Sequence, residues 1–277
     1  MIFLVIRYNT QNAKDDLDKF TSLVRDGIPF TFVRFSDGEI EILRNRKLFI
    51  GNNITEFRGR VFNNDFPEFD RKYFDPDVDI DLRKDLLSAA TFSDENYFKG
   101  IPTAHNDMLE EREFLLRLNG RRSHQMTFAD LFLNSNFVYA RTSFFPVIID
   151  YFENISVVGN FRCELRGELK NGILFPIPDN LFSQYHNVKM STMSLLEKTP
   201  RAGLVLSSAS SLSNILGKEL RQIRPDITFI DIGTALNDLL GLPMGTRAYH
   251  KLINPRGLRQ KFQAWRYKRK REYKLRW

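Results

Sequence analysis

The spacing of apolar side chains along this chain marks out its helices and strands. Between Lys14 and Asp26, Leu17, Phe20 and Val24 recur at helical spacing, which predicts an amphipathic helix stopped at Gly27. Pro29 leads into Phe30-Thr31-Phe32-Val33-Arg34-Phe35, a β-rich run that ends at Ser36-Asp37-Gly38-Glu39. Ile40, Ile42 and Leu43 continue as a second helix. Residues 51–81 are rich in Asn, Asp and Phe without a period and are expected to form loops over the body. Helical patterns resume at 82–90 and 109–118, the second stopping at Gly120.

The second half has a clearer rhythm. Ile155-Ser156-Val157-Val158-Gly159 predicts a buried strand, 186–198 a helix, and Gly203-Leu204-Val205-Leu206-Ser207 another strand. After the small-residue loop Ser208-Ala209-Ser210-Ser211, Leu212, Ile215, Leu216, Leu220 and Ile223 trace one helix face, which Pro225 ends. Ile227-Thr228-Phe229-Ile230-Asp231 is the next strand. Strand, helix and strand within about 30 residues is the signature of a parallel pair. The fold class is therefore α/β, a mostly parallel sheet flanked by helices.

Composition narrows the picture. With 42% hydrophobic and 27% charged residues, the 277-residue chain has the make-up of a globular protein rather than a disordered one. No run reaches the roughly 18–20 apolar residues of a membrane span. Met1-Ile2-Phe3-Leu4-Val5-Ile6 is shorter than a signal-peptide core and has no basic segment before it. The single cysteine, Cys163, allows no internal disulfide, and His105, His124, His186 and His250 are scattered without metal-ligand spacing. A reducing, cytoplasmic location is the expectation.

Three segments fall at predicted strand ends, where parallel α/β sheets bind ligands. In Arg34-Phe35-Ser36-Asp37-Gly38-Glu39, the carboxylates of Asp37 and Glu39 can converge on one Mg²⁺ or Mn²⁺, with Arg34 meeting the same anionic ligand. The same residues also read as a capping box, Ser36 to Glu39, with an Asp-Gly turn inside it. Ser208, Ser210 and Ser211 lie in a loop small enough to admit a phosphate to a helix N-terminus, or equally supply the helix cap. In Asp231-Ile232-Gly233-Thr234-Ala235-Leu236-Asn237-Asp238, Asp231 reads as a sugar-hydroxyl ligand, a base or an ordinary loop residue.

These three segments, in this order, resemble the GT-D-fold glycosyltransferases, a family first catalogued as a domain of unknown function. The resemblance runs over roughly residues 28–250. It implies a Rossmann-like catalytic domain that uses a nucleoside-diphosphate sugar to build surface glycans. By the same resemblance, Asp37 and Glu39 form the Asp-x-Glu metal pair, and both are candidate catalytic residues together with Asp231. Arg34, Ser208, Ser210, Ser211, Gly233, Asn237 and Asp238 would bind the donor. The chain departs from the family's pattern at Ser36, where Gly is usual, at Ser208-Ala209-Ser210, and at Asn237, where Asp is common. An inverting transfer would need a base, for which Asp231, Asp238 and Glu164 are the carboxylates of interest. Asn134, Asn136 and Arg141 are further candidates to line the cleft.

Charge divides the chain in two. Residues 251–277 hold 11 of the 41 basic residues and one of the 34 acidic ones, leaving the first 250 with 30 basic against 33 acidic. A mildly acidic domain (1–250) thus precedes a basic tail, where Leu258, Phe262 and Trp265 form a stripe on an expected amphipathic helix. The tail suits an anionic membrane surface, placing the enzyme peripherally on the inner face near a lipid-linked acceptor. The competing reading is a non-enzymatic protein that binds nucleic acid through the same basic and aromatic residues.

Overall fold

The computed structural model describes residues 13–250 apart from 52–53, 58, 64–65, 103–107, 121–124, 245–246 and 248. The expected tail helix at 251–277 lies outside the described residues. Helix α1 (Ala13–Arg25) precedes strand β1 (Thr31–Arg34) and the short helix α2 (Asp37–Leu43). The three-residue strands β2 (Leu48–Ile50), β3 (Thr55–Phe57), β4 (Arg60–Phe62) and β5 (Lys72–Phe74) follow. Next come α3 (Ile80–Thr91), β6 (Tyr97–Ile101), α4 (Leu109–Leu118) and β7 (Met126–Phe128). Helix α5 (Phe137–Tyr139) passes through a π turn (Ala140–Phe144) into α6 (Phe145–Tyr151). Strands β8 (Ile155–Asn160) and β9 (Ile173–Ile177), helix α7 (Tyr185–Leu196), strand β10 (Leu204–Ser207), helix α8 (Ser211–Ile223) and strand β11 (Thr228–Asp231) complete the order.

Seven strands form one parallel sheet in the order β7-β6-β1-β11-β10-β8-β9. Alternation along β1 sorts the core onto its two faces. Phe32 joins the cluster under α1 and α6, and Val33 joins the one under α3 and α8. Helix α8 can approach closely because a Cβ on Gly217 would meet Val33 and Phe229 at 2.7 and 2.9 Å. Many of the chain's Phe residues are spent on the α1/α6 face, where Phe20 stacks on Phe30 and Phe132 on Phe144.

The sequence-based loops at 51–81 need correction. Part of that stretch, with Leu48–Ile50 before it, forms a separate four-stranded antiparallel sheet, ordered β4-β3-β2-β5. Its strands have three residues each, too short to show a period-two pattern. Strands β6, β7 and β9 were also illegible. In β6 the apolar run is broken by Lys99 and Gly100, yet Lys99 is buried, its Nζ donating to Ala90 O and Asn119 Oδ1. Burial pulls that ammonium down to about 8.

Candidate active-site cleft

The carboxyl ends of β1, β10 and β11 lie side by side, because β11 pairs with both other strands. Arg34, Ser207 and Asp231 are the last residues of those strands. The connection after β1 packs on the α3/α8 face through Phe35, Ile40 and Ile42, and the segment after β11 on the α1/α6 face through Ile232, Ala235 and Leu236. The two therefore part at a topological switch point, where open α/β sheets bind ligands. A cleft of about 1070 Å³ opens there, roofed in part by the small antiparallel sheet. That volume is at the upper end of small-molecule sites and has room for a nucleotide with an attached sugar.

Arg34 anchors the floor. Its Nη2 donates to Asp231 Oδ1 at 3.2 Å, and its Nε lies 3.2 Å from Oδ2 without alignment for a second hydrogen bond. Asp231 Oδ1 also accepts from Gly233 N at 3.0 Å. Burial opposes both charges, but Asp231 keeps the Arg34 guanidinium firmly protonated. Burial pushes the Asp231 carboxyl above its usual range even though Arg34 pulls it down. Gly233 has φ +50°, and a Cβ there would overlap the Arg34 guanidinium, so this position demands glycine. Asp231 is thus the partner that fixes Arg34.

At the start of α2 the two readings of Asp37 and Glu39 separate. Glu39 closes the capping box: Oε2 accepts from Ser36 N at 3.1 Å and Ser36 Oγ at 2.8 Å. Its Oε1 accepts from Ser211 Oγ at 2.9 Å, tying α2 to the start of α8. Burial works against ionisation, but the charge of Lys72 and these hydrogen bonds hold the carboxyl below its usual range. Asp37, in the first turn of α2, is exposed and lines the cleft.

Among the described residues no group of three or more His, Cys, Asp or Glu has metal-binding geometry. Mg²⁺ and Mn²⁺ accept one or two carboxylates and fill the remaining positions with water and phosphate oxygens. Asp37 faces the cleft, whereas both Glu39 oxygens already accept hydrogen bonds from Ser36 and Ser211.

The other sequence candidates divide. Ser208, Ser210, Gly233 and Asn237 line the cleft with Arg34, Asp37, Glu39 and Asp231. Asn237 is fully buried and its Oδ1 has no partner among the described residues. Ser211 is buried beneath the cleft on Glu39. Asp238 does not line it and instead takes Arg141 Nη2 at 2.6 Å, while Glu164 pairs with Arg166. Asn134 lines the cleft, and Asn136 donates to Asp130 O behind it. Sequence reading missed Lys72, Asp70, Asp130, Arg247 and Tyr249, all in the lining. Lys72 and Asp70 fall within the stretch read as loops, and none of the five carries a motif.

Solved structures resemble this chain in fold. A structure described as a new glycosyltransferase (DUF1792) from Streptococcus sanguinis matches at TM-score 0.52 and 15% identity, over 91% of this chain and 96% of that one. The chain has that fold. Two further structures of domain of unknown function 1792 match over 79% of this chain and 77% of theirs. One, selenomethionine-substituted, gives TM-score 0.48 at 16% identity; the other, described as having a distinct glycosyltransferase fold, gives 0.47 at 15%. No family profile matches the chain, and no curated protein sequence matches it. The likeness is one of fold alone, and the cleft is defined by this chain's own residues.

Proposed function

We propose that this protein is a glycosyltransferase that moves a sugar from a nucleoside-diphosphate donor to a glycan acceptor in surface-glycan synthesis. The observation that carries the reading is the meeting of three strand-end segments in one large cleft at the switch point. Ser208 and Ser210 flank the N-terminus of α8, a thirteen-residue helix whose dipole favours an anion there. Arg34, locked by Asp231, presents a fixed positive charge on the cleft floor. Asn237 Oδ1 offers a buried acceptor for a sugar hydroxyl. A divalent cation held by Asp37 and Glu39 would neutralise charge on the departing diphosphate. The test is thermal shift across a panel of nucleotide sugars, with and without Mn²⁺. At least one donor should raise the melting temperature, and a flat response to every donor would remove the proposal.

We assign the basic tail to an anionic membrane surface beside a lipid-linked acceptor, on the charge and aromatic pattern of residues 255–277. No helix among the described residues is long and apolar enough to cross a membrane. Anionic vesicles should sediment the full chain, and a chain ending at residue 250 should stay in the supernatant. Binding of oligonucleotides but not vesicles would favour the nucleic-acid reading instead.

A further inference from the structure

The geometry points to Lys72 as a built-in cation for the donor's diphosphate, so that the nucleoside diphosphate binds this cleft without a divalent ion. This rests on the reading of the cleft as a nucleotide-sugar site and adds to it the residue that receives the phosphates. Lys72 opens β5 of the small antiparallel sheet, paired with Ile50 of β2. Its side chain crosses Gly38, where a Cβ would lie 3.8 Å from Nζ. The small sheet therefore reaches over α2 and brings one ammonium into the cleft.

The surroundings of that ammonium suit an incoming anion. Lys72 Nζ donates to Ser210 Oγ at 2.6 Å. Ser210 is the N-cap of α8, yet its side chain makes no capping bond, and it holds φ +50°, ψ −141°, unusual for a residue with a Cβ. Its hydroxyl thus faces the cleft cation instead of the helix's own amides. Lys72 acts electrostatically on Glu39 but closes no ion pair among the described residues. Other cleft cations are already engaged: Arg34 by Asp231, Arg247 by Asp70 at 3.4 Å, while Arg71 Nε donates to Phe66 O.

Charge balance makes a cation necessary. Among the described residues, five carboxylates and only three basic side chains besides Lys72 line the cleft, so without its ammonium the balance stands further against a diphosphate. An ammonium beside a helix N-terminus is where such an anion gains most. On binding, Lys72 exchanges the neutral Ser210 hydroxyl for a charged phosphate oxygen, and Ser210 Oγ becomes free to donate to the same group. A divalent ion, if held by Asp37 and Glu39, would stabilise charge on the departing diphosphate during transfer and would not be needed for binding.

The experiment is isothermal titration of uridine, guanosine, adenosine, cytidine and thymidine diphosphates into the full chain, first with EDTA and then with Mn²⁺. Wild type should bind at least one of them in EDTA. Lys72→Met, which keeps the apolar stem, should weaken that binding roughly tenfold to a hundredfold, while Lys72→Arg keeps most of it. The Met variant should fold with a modestly lower melting temperature, since Lys72 helps hold the buried Glu39 carboxylate ionised, and Lys72→Gln serves if it does not fold. Two results would overturn the assignment while leaving the glycosyltransferase reading intact: wild-type binding only with Mn²⁺, or undiminished binding by the folded Met variant in EDTA. Absence of any nucleoside-diphosphate binding under both conditions would overturn the two together.

Discussion

Replacing Arg34 with Met is expected to destabilise the protein by about 3–5 kcal/mol, because it leaves the Asp231 carboxylate buried and unpaired. Asp231 is 3% exposed, and without Arg34 its described partner is the Gly233 amide. Asp231→Asn should also cost stability by stranding the guanidinium. The double variant, Arg34→Met with Asp231→Asn, should cost well under the sum, since it removes both charges together. Denaturant unfolding of the four proteins gives the coupling energy, and additive losses would show that the pair is not a unit.

The pH dependence has a definite sign. Burial already raises the Asp231 carboxyl above its unfolded value, and removing Arg34 raises it further. An acid raised in the folded state favours folding when protonated, so its stabilising contribution is fully present below the unfolded carboxyl range, around 4, and is lost as pH rises. The Arg34→Met deficit should therefore shrink on acidification and grow toward neutral pH. A pH-independent deficit would mean that Asp231 is not the group left behind.

The second large effect concerns turnover. Asp37→Asn should lower it roughly a hundredfold or more with little change in melting, since Asp37 is exposed in the first turn of α2. Loss of its charge beside the helix N-terminus costs about 0.3–1 kcal/mol at most. Glu39→Gln should behave differently. It weakens three hydrogen bonds to a buried carboxylate and should cost about 1–3 kcal/mol, visible as a lower melting temperature. Initial rates with a donor from the thermal screen, read beside melting curves, separate the two residues. Unchanged turnover in Asp37→Asn would remove Asp37 from the chemistry.

That contrast shows how far the sequence could be read. The spacing Ser36-x-x-Glu39 is compatible with both a cap and a metal pair, and spacing holds no information about side-chain direction. In the fold Glu39 turns back onto Ser36 and across to Ser211, while Asp37 stays at the cleft surface. Likewise Asp231 reads equally well as base, sugar ligand or loop residue until the pairing of β1 with β11 sets it against Arg34.

By itself the sequence determined the α/β class, the helices α1, α2, α3, α4, α7 and α8, the strands β1, β8, β10 and β11, and the strand-end location of the three segments. These follow from local periodicity and from turn residues, which act within a few positions of one another. Tertiary structure alone decided what crosses long stretches of chain. It brought the ends of β1, β10 and β11 together and set Lys72 on Ser210 from 138 residues away. It also built a second sheet from strands too short to announce themselves. Those outcomes depend on burial and pairing between distant residues, and no local pattern in the chain encodes them.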